Sequence, residues 1–514
     1  MTDPAQSARP DSLTSWHSDW RGLRVAVLGL GVTGFSVADT LTELGAEVLV
    51  LADRADEERE RLLEVIGARL HHAERLDRVP EELESFAPEL VVVSPGFAPT
   101  HPIVAWAGES GIALWGDVEL AWRVRDKVVR ADGTPADWVL VTGTNGKTTT
   151  VQLTATMLVA GGLRAAPCGN IGIPVLDAVR DPQGFDVLVV ELSSYQLHYL
   201  GRIEPLASAC LNIAEDHLDW HGSFEAYRDA KAKVYANTRV ACVYNRADAV
   251  TEQMVVDAEV IEGARAIGFG LGVPGPSDFG VVDGILCDRA FLEDRATSAI
   301  EIATVDELAA RGLAAPHIVQ NVLAAAALSR ACGIEPGAVR RALATFELDA
   351  HRIQVVAESS GVVWVNDSKA TNPHAADASL RAYPSVVWLV GGLLKGVDID
   401  ALVAAHTGRL RGAVVIGADR AEVLEAFRRH APALPVTEVV PDDTGAVMQA
   451  AVEAAAVLAR TGDVVLLAPA AASMDQFRDY AERGRFFAAA VATYLGGGAD
   501  DRSDDEPQPG PLAH

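Results

Sequence analysis

The stretch that most limits how this chain can fold is residues 138–160. A β-type run at 138–141 leads into Thr142-Gly143-Thr144-Asn145-Gly146-Lys147-Thr148-Thr149-Thr150, and residues 151–160 continue with the apolar spacing of a helix. Strand, glycine loop, lysine, hydroxyl and helix in that order require an α/β sheet whose strand end opens onto a helix N-terminus. There the amides around Gly146 can cradle phosphates, Lys147 supplies a compact positive charge, and the Thr148 hydroxyl can reach Mg²⁺. In the standard G-x-x-x-x-G-K-S/T pattern a glycine would stand at position 141. This chain has Val141 there, and Gly143 two residues later.

Two further α/β units flank that one. Residues 24–28 form a β run into Gly29-Leu30-Gly31-Val32-Thr33-Gly34, followed by helical spacing at 35–44 and a second β run at 48–52 that ends at Asp53. This has the spacing of a dinucleotide fingerprint, a helix N-terminus stripped of side chains where a diphosphate can be received. NAD, FAD or a UDP-sugar would satisfy it equally, and a lone glycine turn can also serve strand–helix packing alone. A third run, 90–93, ends at Ser94-Pro95-Gly96. Toward the C-terminus, β runs at 362–365, 386–390, 413–416 and 464–467 alternate with helical stretches. Three polar or glycine-rich clusters follow strand ends there: Asn366-Asp367-Ser368-Lys369-Ala370-Thr371-Asn372, Gly391-Gly392-Leu393-Leu394-Lys395-Gly396 and Ala468-Pro469-Ala470-Ala471-Ala472-Ser473. Ligands of open α/β sheets bind outside such carboxyl ends. The expected organisation is a disordered segment 1–20, an N-terminal Rossmann-like domain 21–125, a linker 126–137, a central P-loop mononucleotide-binding α/β domain 138–348, a C-terminal Rossmann-like α/β domain 349–496 and a disordered acidic tail 497–514.

Composition narrows the partners. The formal net charge is −28 and the acidity is spread over every segment, so nucleic acid is not expected as a partner. No apolar run approaches the roughly 18 residues that a membrane span needs. The N-terminus lacks an apolar stretch behind a basic start, so a cytoplasmic location without membrane attachment is expected. The five cysteines are scattered and unpaired in sequence, which suits reduced, buried thiols. Only Lys127, Lys147, Lys231, Lys233, Lys369 and Lys395 are lysines in an arginine-biased chain. Positions that keep lysine are candidates for sites needing a primary amine or a compact ammonium.

The central loop, with Glu191-Leu192-Ser193-Ser194-Tyr195-Gln196-Leu197, Asp216-His217-Leu218-Asp219, Tyr227-Arg228-Asp229-Ala230-Lys231, the Asp367–Asn372 block and Ser473-Met474-Asp475-Gln476-Phe477, resembles the Mur ligase family from about residue 24 to residue 495. Within that family the Asp367–Asn372 block is similar to the branch that adds D-glutamate. The resemblance implies an ATP-dependent ligase that joins D-glutamate to UDP-N-acetylmuramoyl-L-alanine through an acyl phosphate, in cytoplasmic peptidoglycan precursor synthesis, acting as a monomer. It implies ATP contacts from Gly143, Thr144, Asn145, Gly146, Lys147, Thr148, Thr149, Asn321, Arg352 and Asp367. The UDP-substrate would be held by Gly31, Val32, Thr33, Asp53, Ser94, Pro95, Gly96 and Asn170, and D-glutamate by Thr371, Lys395, Ser473 and Tyr480. Two Mg²⁺ are implied, one at Thr148 and Glu191, the other at His217 and at Lys231 carried as a carbamate, with Lys147, His217 and Lys231 as catalytic groups. Ile318, Arg54 and Tyr480 depart from the residues common in the family at those places. Rival readings are a sibling ligase adding another amino acid, a nucleotide-gated P-loop scaffold, and a nicotinamide-dependent oxidoreductase built on residues 29–53.

Overall fold

The computed structural model describes residues 9–54, 57–440 and 444–497, and the chain divides into two compact units, residues 1–346 and 347–514. The first unit holds two sheets. Strands β1 (Arg24–Leu28), β2 (Glu47–Ala52), β3 (Arg69–His72), β4 (Leu90–Val93) and β5 (Ala113–Gly116) form an all-parallel sheet of order β3-β2-β1-β4-β5. Its central strands are apolar at nearly every position because helices cover both faces. Val25 and Val27 enter one core while Ala26 and Leu28 enter another, as the two-residue period of a strand demands.

The second sheet comprises β6 (Asp137–Thr142), β7 (Ala165–Gly169), β8 (Val187–Glu191), β9 (Ala207–Cys210), β10 (Ala241–Asn245), β11 (Arg265–Phe269), β12 (Asp278–Val282), β13 (Ile285–Asp288) and β14 (Ile300–Thr304). Their order is β14-β13-β12-β11-β10-β9-β6-β8-β7, parallel except for the antiparallel β12-β13-β14 edge. In both sheets the order reverses beside the strand that carries the glycine loop, β1 and β6, which opens a crevice at the carboxyl ends.

The second unit has β15 (Gln354–Ser359), β16 (Val362–Asn366), β17 (Val386–Val390), β18 (Leu410–Val415), β19 (Val436–Glu438) and β20 (Val464–Leu467) in the order β15-β16-β20-β17-β18-β19. Only the β15–β16 pair is antiparallel. Val386, Trp388 and Val390 face one core, Val387 and Leu389 the other.

Two expectations need correction. Of the segment 1–20, expected to be disordered, residues 9–20 are folded onto the first unit and residues 1–8 lie outside the described residues. Leu13 and Trp20 are buried in the core that also takes Trp115 and Trp138, and the Arg123 guanidinium donates to the carbonyls of Pro10 and Leu13 at 3.1 Å each. Its polar composition hid two apolar anchors. The linker expected at 126–137 is a structured turn, with a 3-10 segment Arg125–Lys127, an antiparallel bridge between Val129 and Pro135, and β6 already begun at Asp137. The tail expected at 497–514 lies outside the described residues beyond Gly497. Among the described residues no helix is long and apolar enough to cross a membrane.

Candidate active site

Strand β6 delivers its loop directly into helix Lys147–Ala160, whose N-cap is Gly146 with φ 83. That left-handed backbone suits glycine, and space demands it too: a Cβ there would lie 2.5 Å from Asn321 Oδ1. Asn321, on helix Pro316–Ala331, therefore sits against the loop, and Ile318 of the same helix is buried. Asn212 pins the loop from the other side, accepting from Asn145 N–H at 2.8 Å and donating to the Asn145 carbonyl at 3.1 Å. Thr144 is held by the Tyr227 hydroxyl at 2.8 Å and by Ala214 N–H at 3.0 Å. With the loop fixed, its amides are organised before any anion arrives.

Two lysines converge on this loop. Lys147 Nζ donates to the carbonyls of Gly143 and Thr144 at 2.8 and 2.9 Å. Lys231 Nζ donates to the same Gly143 carbonyl at 2.9 Å and to Thr142 Oγ1 at 3.2 Å. Helix Phe224–Ala232 places Tyr227 and Lys231 one turn apart on the face toward the loop. Lys231 is only 2% exposed. Burial above all, and then the neighbouring Lys147 charge, push its amine down to about 7 from 10.5, against the opposing pull of Asp216 and Glu191. A neutral primary amine is thus accessible near neutral pH, a state arginine could not reach.

Glu191 closes β8 and is buried. Its Oε1 accepts from Asn170 Nδ2 at 3.0 Å, while Oε2 is buried with no hydrogen-bond partner. An orphaned carboxylate oxygen facing a phosphate loop fits a cation ligand. His217 has a left-handed backbone, φ 53, and its Nδ1 lies 2.6 Å from the Tyr195 hydroxyl. Among the described residues no three His, Cys, Asp or Glu side chains gather into a metal cluster.

At the first sheet's crevice the glycine turn and Ser94 come together. A Cβ on Gly34 would fall 2.0 Å from the Gly29 carbonyl oxygen and 3.3 Å from Ser94 Oγ, so the helix Val32–Glu43 can approach the turn only through glycine. Gly31 and Gly96 face open space, and Val32 and Asp53 are exposed beside them. Asn170 donates to Glu191 at the end of β8 in the second sheet, and Ile173 of its loop lines one cavity with Val32 of the first.

In the second unit the three strand-end clusters meet. Leu393 and Ala472 exchange backbone bonds at 2.9 and 3.0 Å, joining the Lys395 and Ser473 loops. Arg483, 1% exposed, ties the other pair, donating to Ser368 Oγ at 3.0 Å, the Ser368 carbonyl at 2.9 Å and the Ala471 carbonyl at 3.1 Å. Burial lowers this guanidinium to about 10. The Lys369 ammonium lies 5.0 Å over the Tyr480 ring, Ser473 is buried and Lys395, with φ 56, is exposed. Asp367 is buried and accepts from Ile353 N–H at 3.3 Å and from the Ser379 hydroxyl; burial raises its carboxyl, and Arg352 and Lys369 counter that. Arg352 itself lies between His351 and Ile353, both with positive φ. Arg483 and Asn212 were given no role from the sequence, and Tyr227 entered only as part of the run that ends at Lys231. Tyr227 had a signal, being one helical turn before Lys231, whereas an arginine in a helix reads as surface until the fold buries it.

Three family models match in order along the chain: Mur ligase MurD-like, N-terminal domain at residues 23–116; Mur ligase middle domain at 141–329; and Mur ligase, glutamate ligase domain at 351–471. The chain is 69% identical to a UDP-N-acetylmuramoylalanine–D-glutamate ligase of Leifsonia xyli, over 97% of this chain and 98% of that protein. It is 53% identical to the protein of that name from Streptomyces coelicolor, over 92% and 98%. Two solved structures share the fold. A pseudomurein peptide ligase type C from Methanothermus fervidus has TM-score 0.55 at 16% identity, covering 92% of this chain and all of that one, 100%. A MurF ligase from Thermotoga maritima in complex with ADP has TM-score 0.53 at 18% identity, covering 92% and 96%. Near-complete overlap with close relatives and an unbroken succession of matched domains lead to one conclusion: the chain belongs to the Mur ligase family.

Proposed function

We propose that the chain is an ATP-dependent ligase that joins D-glutamate to UDP-N-acetylmuramoyl-L-alanine, acting in the cytoplasm as a monomer. The carboxylate of the UDP-linked acceptor takes the γ-phosphoryl group of ATP; the D-glutamate amine attacks the resulting acyl phosphate, and the tetrahedral intermediate expels phosphate. The loop 143–149 and Lys147 hold the ATP phosphates, with Asn321 beside them. The glycine turn with Ser94-Pro95-Gly96 and Asn170 receives the UDP-substrate. Thr371, Lys395, Ser473 and Tyr480 receive the carboxylates of D-glutamate.

Thr148 and Glu191 would hold one Mg²⁺, and His217 with a carbamate on Lys231 a second; bound there, the ions neutralise the anionic partners and the charge on the transferring oxygens. The orphaned Glu191 oxygen and the depressed Lys231 amine support this assignment. The observation that carries the proposal is the meeting of Lys147 and Lys231 on the single Gly143 carbonyl, since it puts a fixed phosphate-binding cation beside an amine able to add CO₂.

The test is phosphate release with UDP-N-acetylmuramoyl-L-alanine and a panel of D- and L-amino acids. Release that requires D-glutamate is expected. Release without an amino acid would point to the P-loop scaffold, preference for another amino acid to a sibling ligase, and either outcome refutes the proposal. Lys231→Ala should lose activity and regain part of it with short carboxylic acids; full activity without rescue would remove the carbamate.

A further inference from the structure

The short helix Ser194–His198 begins three residues after Glu191 and is anchored on every side. Ser193 caps it, with Gln196 N–H donating to Ser193 Oγ at 3.2 Å and Ser193 N–H donating to Gln196 Oε1 at 3.1 Å. Gln196 Nε2 also donates to the buried Asp117 carboxylate at 3.0 Å. The Ser194 hydroxyl lies 2.9 Å from His221 Nε2. These bonds fix the backbone from which Tyr195 projects.

The Tyr195 ring is fixed as well. Its centroid is 4.6 Å from that of Trp220 and 5.8 Å from that of His221, and it meets the edge of His217 at 4.8 Å. Its hydroxyl reaches His217 Nδ1 at 2.6 Å, while the other ring nitrogen, Nε2, faces the Asp216 carboxylate at 3.6 Å, so that carboxylate and Nε2 open on the same place for a cation. His217 holds a left-handed backbone, φ 53, a conformation that a residue with a Cβ rarely adopts. Asp216 Oδ1 accepts its N–H at 3.0 Å, and its carbonyl accepts from Trp220 and His221 N–H at 3.1 Å each. Backbone strain sustained by surrounding bonds, together with one ring nitrogen addressed by a rigid hydroxyl, is the arrangement expected where an imidazole must be aimed. A histidine that binds a metal through one nitrogen uses the other to hydrogen-bond, and that bond sets tautomer and ring orientation.

We propose that Tyr195 is a positioning residue for His217: its hydroxyl accepts the Nδ1–H, holding the ring in the tautomer whose Nε2 carries the lone pair for a divalent cation. Tyr195 touches neither substrate nor metal in this role; it acts through the imidazole. The inference rests on the reading of His217 as a metal ligand.

Two measurements on the full-length protein test it. In the metal-free enzyme, ring ¹⁵N shifts should report His217 as the Nδ1–H tautomer, and in Tyr195→Phe the ring should relax toward the Nε2–H form that free histidine prefers. An Nε2–H ring in the unaltered protein overturns the proposal, because the tyrosine would then be the donor. Mn²⁺ binding, followed by electron paramagnetic resonance with a non-hydrolysable ATP analogue, supplies the second readout. Two ions are expected, with His217→Ala losing one and Tyr195→Phe weakening that same ion about tenfold or more while the analogue's affinity stays unchanged. If His217→Ala loses an ion and Tyr195→Phe binds it normally, Tyr195 has no positioning role. If His217→Ala keeps both ions, the metal-ligand reading of His217 fails and the proposal with it.

Discussion

Carbamate formation on Lys231 should follow an unusual pH profile, and pH itself is the perturbation. The amine titrates at about 7 in the fold, against 10.5 for an unshifted lysine. Only the neutral amine adds CO₂. With a midpoint of 7 its neutral fraction climbs from about 0.1 at pH 6 to about 0.9 at pH 8, roughly a tenfold rise that then levels off. An unshifted lysine would climb about a hundredfold over the same interval and keep climbing. The assay is the initial rate at which the carbamate signal appears in ¹³C NMR of the metal-free protein once ¹³C-labelled CO₂ is added, with dissolved CO₂ held constant at each pH and Lys231→Met to assign the signal; that rate follows the neutral amine, whereas the equilibrium signal also depends on the proton that carbamate formation releases. The same shift has a sign for stability. Between about pH 7 and 10.5 the unfolded chain binds a proton at this residue that the fold does not, so stability rises with pH across that window. The contribution is about 5 kcal/mol at most, and Lys231→Met should flatten it. A formation rate that rises about a hundredfold from about pH 6 to 8 without a plateau would refute the burial argument, and a signal that survives Lys231→Met would remove the site.

Three other outcomes are expected. Lys147→Met should weaken ATP-analogue binding and lower kcat about a hundredfold or more, since it deletes a preorganised cation on the transferring phosphates; unchanged turnover in a phosphate-release assay would contradict its placement. Gly34→Ala should lower the melting temperature and raise KM for the UDP-substrate, because its Cβ would sit 2.0 Å from the Gly29 carbonyl oxygen. Burial lifts the Asp117 carboxyl to about 6 from 3.8, so the fold loses stability as pH rises between those values, about 3 kcal/mol in all. Asp117→Asn, which can still accept from Gln196, should remove that slope in urea titrations at pH 4 and 7 and be the more stable protein at pH 7.

Local order along the chain carried much of this. The strand, glycine loop, lysine and helix at 138–160 are contiguous, so their geometry is set by short-range backbone rules, and the same holds for Gly29–Gly34 and for the polar clusters that close β16, β17 and β20. Glycine at 34 and 146 is legible for the same reason, although only the fold names what each would strike, Gly29 and Asn321. The polar stretch 9–20 misled because two burials, Leu13 and Trp20, outweigh its composition. By itself, then, the sequence determined three α/β units, the two glycine turns at strand ends and the short list of lysines kept in an arginine-biased chain. Tertiary structure alone decided that burial pushes the Lys231 amine down to about 7, that Glu191 keeps an unshared oxygen, that Arg483 is sealed beneath two loops and that Tyr195 reaches His217. Each of those depends on which distant segments exclude water from a charged or polar group, and desolvation is a property of packing that no local pattern of residues records.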